Sequence, residues 1–160
     1  MSTDIRFENG ELIVTRVYAA SREAVFEAWV ETSKVEQWWG CGDTTRVRSH
    51  IEPRVGGRYD HTMTIAGSDI AGNGLIVEFV PPSRLAYTAP LYGTTDIQMR
   101  VTVDFTEVTG GTRVQLVHQG IPDMRVDGDV ELRLIVRDGW TAAFGKLDTF
   151  LVGEMQATVS

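Results

Sequence analysis

The stretch DVELRLIVRDGWTAAFGKLDTFL, residues 129–151, decides the fold. Its apolar residues recur at helical spacing, and polar residues occupy the opposite face. The apolar stripe consists of Leu132, Val136, Trp140, Ala143, Leu147 and Leu151, with Phe144 and Phe150 beside it. One apolar stripe with a polar back is typical of a helix that packs on a core. We therefore predict one long C-terminal helix, with Asp127 or Asp129 as its N-cap.

The first part of the chain predicts one strand followed by two short helices. Residues 12–19 alternate and are rich in β-branched side chains, which favours a strand. Ser21 is a good N-cap for the first helix. Ser33 and Glu36 have the spacing of a capping box and predict the start of the second helix.

The middle of the chain predicts strands over 44–51, 58–65, 70–80, 84–88, 97–105 and 112–119. The pair Asn73-Gly74 interrupts the third of them, and turn rules alone would make it a hairpin. We favour a bulge or a close backbone approach, because two separate strands would be very short. Residues 89–96 and 120–128 are predicted as loops.

These elements predict an α+β fold in a single domain over 1–160. Turns of hairpin length make the sheet antiparallel, and a sheet of about six to seven strands twists and curls. A helix of 23 residues is about 35 Å long. A straight helix on a curled sheet contacts it at one end and leaves space at the other, so we expect a cavity between them.

The composition excludes several classes of partner and site. The 160 residues carry a formal net charge of -7, which argues against nucleic acid and against an anionic membrane surface. The single cysteine, Cys41, excludes an internal disulfide. The three histidines are scattered through the sequence without a close-spaced cluster of cysteine, histidine or carboxylate residues, so we expect no metal. The sequence has no phosphate-cradling glycine loop and no Rossmann fingerprint, and we expect no cofactor. The start of the chain has no apolar signal region, and we expect a cytoplasmic protein.

The candidate ligand site is formed by aromatic and polar side chains on the inner faces of the predicted strands and helix. Pockets are typically lined by such side chains. The predicted lining is Trp39, Tyr59, His61, Met63, Met99, Val101, His118, Val136 and Trp140. Neighbouring helical residues point about 100° apart, so we expect Trp38 and Trp39 not to face the same core.

His61, His118 and Glu78 each have two possible interpretations. His61 and His118 are each interpreted as a hydrogen-bonded core residue, or as a group that orients a ligand or moves a proton. Tyr87 is a further candidate for orienting a ligand. Glu78 is interpreted as a solvated or arginine-paired charge, or as an acid or base in the cavity.

Motifs along nearly the whole chain carry a resemblance to a known family. They are Arg16, Val25-Phe26, Trp29, Trp38-Trp39, Gly56-Gly57, Gly74, Glu78, Pro81-Pro82, Arg84-Leu85, Gly110-Gly111-Thr112, Gly139-Trp140 and Leu147. In this order they resemble the START-like, or SRPBCC, superfamily, which has the Bet v 1-like helix-grip fold. Within it, the chain is most similar to the family named after activators of the ATPase of heat-shock protein 90.

The resemblance implies a curved antiparallel sheet that grips the C-terminal helix around a hydrophobic ligand cavity. Ala20 departs from the pattern, because such proteins often have proline before the first helix. The eukaryotic co-chaperones of the family have a further chaperone-binding domain, for which 160 residues leave no room. A chaperone is therefore a doubtful partner, and a hydrophobic small molecule is the expected one.

Three functions remain open from the sequence. The first is a non-catalytic protein that binds a small apolar or aromatic molecule. The second is an enzyme of the polyketide cyclase or dehydratase type, in which His61, His118 or Glu78 moves a proton. The third is an interaction domain that uses Leu134, Ile135 and a tryptophan to bind a chaperone or to form a homodimer.

Overall fold

A long C-terminal helix lies against an eight-stranded antiparallel sheet in the computed structural model, which describes residues 2–91, 97–126 and 128–159. The elements in chain order are β1 (Asp4–Glu8), β2 (Glu11–Tyr18), α1 (Arg22–Val30), α2 (Thr32–Val35), β3 (Thr44–Ile51), β4 (Arg58–Ile65), β5 (Ser68–Val80), β6 (Arg84–Pro90), β7 (Gln98–Val108), β8 (Gly111–Gln119), β9 (Arg125–Val126), β10 (Val130–Glu131) and α3 (Leu132–Val159). The main sheet has the order β1-β2-β8-β7-β6-β5-β4-β3, and β9 pairs with β10. The predicted α+β helix-grip architecture is confirmed.

The main sheet has eight strands, whereas about six to seven were predicted. The polar start of the chain forms β1, which pairs with β2 through the register Asp4↔Thr15 to Glu8↔Glu11. Asn9 and Gly10 have φ values of 52° and 79° and make the turn between the two strands. Its two apolar residues, Ile5 and Phe7, alternate with charged residues and pack partly buried against the core.

On the central strands, the alternating side chains that were predicted to face the core do face it. Met99, Val101, Val103 and Phe105 are buried on β7, and Val114, Leu116 and His118 are buried on β8. The stripe of α3 covers this inner face, and Val136 packs against the core as a half-buried residue. The buried Tyr18 hydroxyl of β2 donates to the Phe144 carbonyl of α3 at 2.9 Å and ties the sheet to the helix.

Strand β5 runs without a break through Asn73 and Gly74, so the preferred close backbone approach is confirmed. A Cβ atom at Gly74 would lie 2.2 Å from the backbone oxygen of Thr88 on the adjacent strand. The register also shifts between Ile76 and Glu78, which marks a β-bulge. Only glycine allows the two backbones to approach this closely.

The predicted cap of the first helix is confirmed and that of the second is wrong. The Ser21 hydroxyl accepts a hydrogen bond from the Ala24 amide at 3.1 Å. Helix α2 begins at Thr32 and has no side-chain cap. The Glu36 carboxylate instead accepts from the Ser49 amide on edge strand β3 at 2.9 Å. The carboxylate therefore pairs with a backbone amide at the edge of the sheet. The spacing of residues within a helix cannot predict such a long-range contact.

The final helix begins three residues later than predicted and extends to Val159. Val130 and Glu131 form strand β10, so Asp129 lies outside the helix and is not its cap. Asp127 lies outside the described residues. The predicted loop 120–128 contains β9, and the predicted loop 89–96 begins later because β6 continues to Pro90.

None of the helices in the described part of the chain combines the length and apolar character needed to cross a bilayer.

Candidate functional site

The rings of seven buried side chains form a continuous cluster between the sheet and α3. We call it the aromatic–histidine cluster, and it consists of Trp29, Trp39, Tyr59, His61, Tyr87, His118 and Trp140. Strand β4 supplies Tyr59 and His61, whereas helix α3 supplies Trp140. Trp39 follows α2 and reaches both sides, because its ring centre lies 5.8 Å from that of Tyr59 and 5.5 Å from that of Trp140.

Trp38 and Trp39 both face the core, so the expectation that they would not face the same core is wrong. Their relative exposures are 1% and 7%, and their ring centres are 5.5 Å apart. Both tryptophans lie beyond the end of α2 at Val35, in a turn where their amides donate to the Val35 carbonyl at 3.2 and 3.0 Å, so the spacing of a regular helix does not fix their directions. The Trp38 indole donates to the Ala28 carbonyl at 2.8 Å, while the Trp39 ring stacks on His61.

His61 lies at the centre of the sheet side of the cluster. Its imidazole stacks on the Trp39 indole, with ring centres 3.8 Å apart and planes 18° apart. Its Nδ1 atom shares a hydrogen bond of 2.8 Å with the Ser49 hydroxyl of β3. Its Nε2 atom is buried and has no hydrogen-bond partner in the described part of the chain. Burial lowers the pKa of His61 to about 3, so the ring is neutral at pH 7.

His118 is held on both sides. The Trp140 indole donates to its Nδ1 atom at 2.9 Å, which fixes the proton on Nε2. The Nε2 atom lies 3.2 Å from the sulfur of Met99, a weak acceptor. Burial lowers the pKa of His118 to about 4. The cluster thus contains two neutral imidazoles, one fully hydrogen-bonded and one with an open nitrogen.

The other predicted lining residues surround the cluster. Val101 of β7 pairs in register with His118 on one side and with Tyr87 on the other. Met63 of β4 is buried, and its sulfur accepts a hydrogen bond from the Thr44 hydroxyl at 3.6 Å. The structure thus brings the predicted residues into one layer, with Val136 at its margin.

The space expected to be a cavity is occupied by these rings. The Tyr59 and Tyr87 rings are 4.3 Å apart at their centres, and Trp29 stacks on Trp140 at 6.0 Å. The cavity was predicted from the shapes of the helix and the sheet backbones, without the indole side chains that lie between them. A shallow and open depression lies elsewhere, between the start of α1 and the β7–β8 turn.

Glu78 lies on the outer face of the sheet, and its arginine-paired interpretation is confirmed. Arg100 contacts its carboxylate at 2.5 Å, and Arg84 contacts it at 3.4 Å. Of the residues named for the interaction surface, Leu134 is half-buried. Ile135 is 41% exposed, but all four tryptophans are buried, so none is available on the surface to bind a partner.

Two polar residues of the site were missed. Ser49 pairs directly with His61 in the β3–β4 register. Pairing the two predicted strands as a hairpin would have placed Ser49 opposite His61. Lys146 of α3 donates to the carbonyls of Trp39 and Cys41 at 3.2 and 3.1 Å and holds the segment after α2. Burial lowers the pKa of Lys146, and no signal in the sequence indicates this role.

The described residues contain no group of three or more histidine, cysteine or carboxylate side chains that could hold a metal ion.

Solved structures of bacterial proteins share this architecture. A protein from Rhodobacter sphaeroides superposes with a TM-score of 0.79 at 20% identity, covering 96% of this chain and 99% of the other. One from Chromobacterium violaceum gives 0.76 at 23% identity over 88% and 96%. The AHSA1 protein from Silicibacter pomeroyi gives 0.71 at 24% identity over 90% and 99%. At these identities the likeness shows the fold alone.

The family assignment comes from the sequence. No curated protein matches the chain. Residues 19–152, from the end of the first long strand to the last turns of α3, match the family described as "Activator of Hsp90 ATPase homolog 1-like protein". The match spans α1, the aromatic–histidine cluster and most of α3. The chain therefore belongs to the family of Activator of Hsp90 ATPase homolog 1-like proteins and has the predicted helix-grip fold.

Proposed function

We propose that this protein binds a small apolar or aromatic molecule between the sheet and α3, at the aromatic–histidine cluster. The observation that carries the proposal is the buried Nε2 atom of His61, which lacks a partner among the described residues. A buried polar atom left unpaired costs about 1–3 kcal/mol. A ligand that hydrogen-bonds this atom would recover that free energy, while its apolar part would replace ring contacts that already exist in the cluster.

The least buried side chains in and beside the cluster are the proposed route of entry. Trp39, Trp140, Met63 and Met99 retain exposures of 6–9%, whereas the deeper Trp29 is fully buried. Methionine side chains adapt readily to a new neighbour because they are unbranched and flexible. Displacement of the Trp39 indole from His61 would open a flat space of about the size of a bicyclic ring.

The driving force would be the burial of apolar surface, at about 25 cal/mol per Å². Polar contacts would be neutral hydrogen bonds, because His61 and His118 both have a pKa far below 7. The cluster thus has the composition of a typical ligand pocket, with a large aromatic lining and a few polar groups that set orientation.

The same geometry gives less support to the cyclase or dehydratase alternative. Proton transfer needs groups that converge on one substrate atom and whose pKa values lie near the working pH. The path of contacts from His61 to His118 runs through the rings of Trp39 and Trp140. An imidazole with a pKa of about 3 or 4 is also a weak base. Glu78 cannot join them, because it lies on the outer face of the sheet.

Native mass spectrometry of the protein as purified tests the proposal, in comparison with its denatured mass. We expect an added small-molecule mass that is lost on denaturation, or a thermal shift with members of a panel of flavonoids, polyketide-like aromatics and fatty acids. Trp39→Ala is the informative variant, because it removes the ring that covers His61. Absence of any added mass and of any thermal shift, for both proteins, would refute small-molecule binding at this cluster.

A further inference from the structure

We propose that a groove on the outer face of the sheet binds the phosphate group of a small, soluble phosphate monoester. We call it the arginine groove, and it is lined by Arg22 of α1, Ser83 of the β5–β6 turn, Asp104 and Thr106 of β7, and Arg113 and Gln115 of β8. It shares no residue with the aromatic–histidine cluster, so it is independent of the ligand proposed above.

The pairing of β7 with β8 places four of these side chains on one face of the sheet. Thr106 lies opposite Arg113, and Asp104 lies opposite Gln115. Residues two positions apart on a strand point to the same side of the sheet, and the intervening Phe105 is buried in the core. The four polar side chains are therefore neighbours on the outer face because the register of the two strands makes them so.

Arg22 and Arg113 are cations without an anionic partner. Neither guanidinium forms an ion pair or a hydrogen bond among the described residues, whereas the nearby Arg84 contacts Glu78 and Asp104 at 3.4 and 3.6 Å. Arg22 is half-buried, and its Nε atom is buried without a partner in the described part of the chain. A charged group that loses hydration and gains no partner is unfavourable. The chain has 22 acidic and 15 basic residues, so a shortage of carboxylates does not explain the two unpaired arginines.

Two guanidinium groups match a phosphate monoester better than a carboxylate. A carboxylate has two oxygens and a single charge, and the paired donors of one guanidinium satisfy it. A phosphate monoester has three terminal oxygens and carries a charge of about -1.5 to -2 at pH 7. The Thr106 hydroxyl and the Gln115 amide lie beside Arg113 and can donate to further oxygens. The donors of the groove therefore favour a dianion with several oxygens.

The size of the groove and the charge of the protein favour a small molecule over a polyanion. The groove has a volume of about 410 Å³, which is within the range of small-molecule sites. The net charge of -7 repels nucleic acid and the surface of an anionic membrane. Asp104 adds a negative charge within the groove, and its contact with Arg84 offsets that charge only in part. These repulsions are weakest for a small molecule that carries a single phosphate group.

Methyl phosphate, methyl sulfate and acetate test the ligand class at pH 7.5 and low ionic strength. None of them contains a ring that could enter the aromatic–histidine cluster. NMR titration of the native protein measures their affinities, with the arginine Nε–H groups and the backbone amides of β7 and β8 as reporters. We expect methyl phosphate to bind most tightly of the three and to shift the Nε–H signals of Arg22 and Arg113.

Single substitutions assign the binding to the groove. Arg113→Gln and Arg22→Gln should each weaken the binding of methyl phosphate about tenfold, the loss expected for one charge-assisted hydrogen-bonded pair. Asp104→Asn should tighten the binding, because it removes the negative charge from the groove. Arg46→Gln is the matched control, since Arg46 lies exposed on β3 outside the groove, and it should leave the affinity nearly unchanged. Arg113 is exposed, so Arg113→Gln remains informative if Arg22→Gln does not fold.

The site is refuted if methyl phosphate causes no saturable shifts in the groove, or if Arg46→Gln weakens binding as much as Arg113→Gln does. The phosphate class is wrong if acetate or methyl sulfate binds as tightly as methyl phosphate. Sedimentation with vesicles of phosphatidylcholine and phosphatidic acid identifies the source of the phosphate group. We expect no binding to these vesicles. Vesicle binding that Arg113→Gln abolishes would make the ligand a lipid headgroup and overturn the soluble source.

Discussion

Two buried neutral histidines should make this protein sensitive to mild acid. The pKa of an unfolded histidine is about 6.5, whereas burial lowers the pKa of His61 to about 3 and that of His118 to about 4. As the pH falls below 6.5, the unfolded state takes up two protons that the folded state does not bind. The free energy of unfolding therefore decreases with falling pH in this range, until the folded pKa values are reached.

The size of the effect follows from the two shifts. At pH 5 an unfolded histidine lies about 1.5 pH units below its pKa, which corresponds to about 2 kcal/mol for each residue. Both folded residues remain neutral at that pH, so the combined loss is about 4 kcal/mol relative to pH 7.5. Native domains are stable by only about 5–15 kcal/mol. The two imidazoles alone would thus remove a large part of the stability.

Urea unfolding, followed by tryptophan fluorescence at pH 7.5, 6.5, 5.8 and 5.0 and constant ionic strength, measures this loss. His118→Gln should reduce the loss by about half, because one of the two titrating groups is gone. His50→Gln should leave it unchanged, since the His50 side chain is 58% exposed.

The reasoning is refuted if the native protein loses less than about 1 kcal/mol between pH 7.5 and 5.0, or if His50→Gln changes the loss as much as His118→Gln does. An NMR titration gives an independent check. A pKa near 6.5 for both residues would mean that water reaches the imidazoles and that the cluster is more open than its packing indicates.

Three substitutions test the packing that positions the site, each measured by urea unfolding at pH 7.5. Gly145→Ala should stabilise the protein by about 1 kcal/mol, because a Cβ atom there meets nothing within 4 Å and alanine favours helix. Gly74→Ala should cost about 3 kcal/mol or prevent folding, since its Cβ atom would collide with the Thr88 carbonyl. Tyr18→Phe should cost about 1–2 kcal/mol through the loss of the hydrogen bond to Phe144. A stable Gly74→Ala or a destabilised Gly145→Ala would contradict the backbone geometry described above.

The strands and the long helix could be predicted because their signals are local. Alternation along β4 and β8 placed His61 and His118 inward, and the spacing of Trp140 placed it on the inner stripe of α3. Period-two and helical patterns require only that one face of each element is apolar. For this reason the predicted lining residues do lie in one layer.

The errors concern features that depend on residues distant in sequence. Glu36 was predicted as a helix cap but binds the edge of β3, thirteen residues away. Trp38 and Trp39 were predicted not to face the same core, but both are buried in the turn after α2. The cavity was inferred from the shapes of backbone elements, an inference that leaves out the aromatic rings between the sheet and α3. Packing of this kind is decided by volumes and rotamers, which sequence periodicity does not contain.

The burial of His61 within an aromatic core is itself an argument for function. An apolar ring at position 61 would avoid the cost of burying polar nitrogens and would remove an unpaired atom, whereas at position 118 it would leave the Trp140 indole without its acceptor. His61→Phe should therefore raise the free energy of unfolding at pH 7.5 by about 1 kcal/mol, while it weakens the binding of a ligand that hydrogen-bonds Nε2. Stability and ligand binding would then change in opposite directions. A variant that is less stable than the native protein would indicate that His61 supports the core, and one that binds the ligand as tightly as the native protein does would remove His61 from the site.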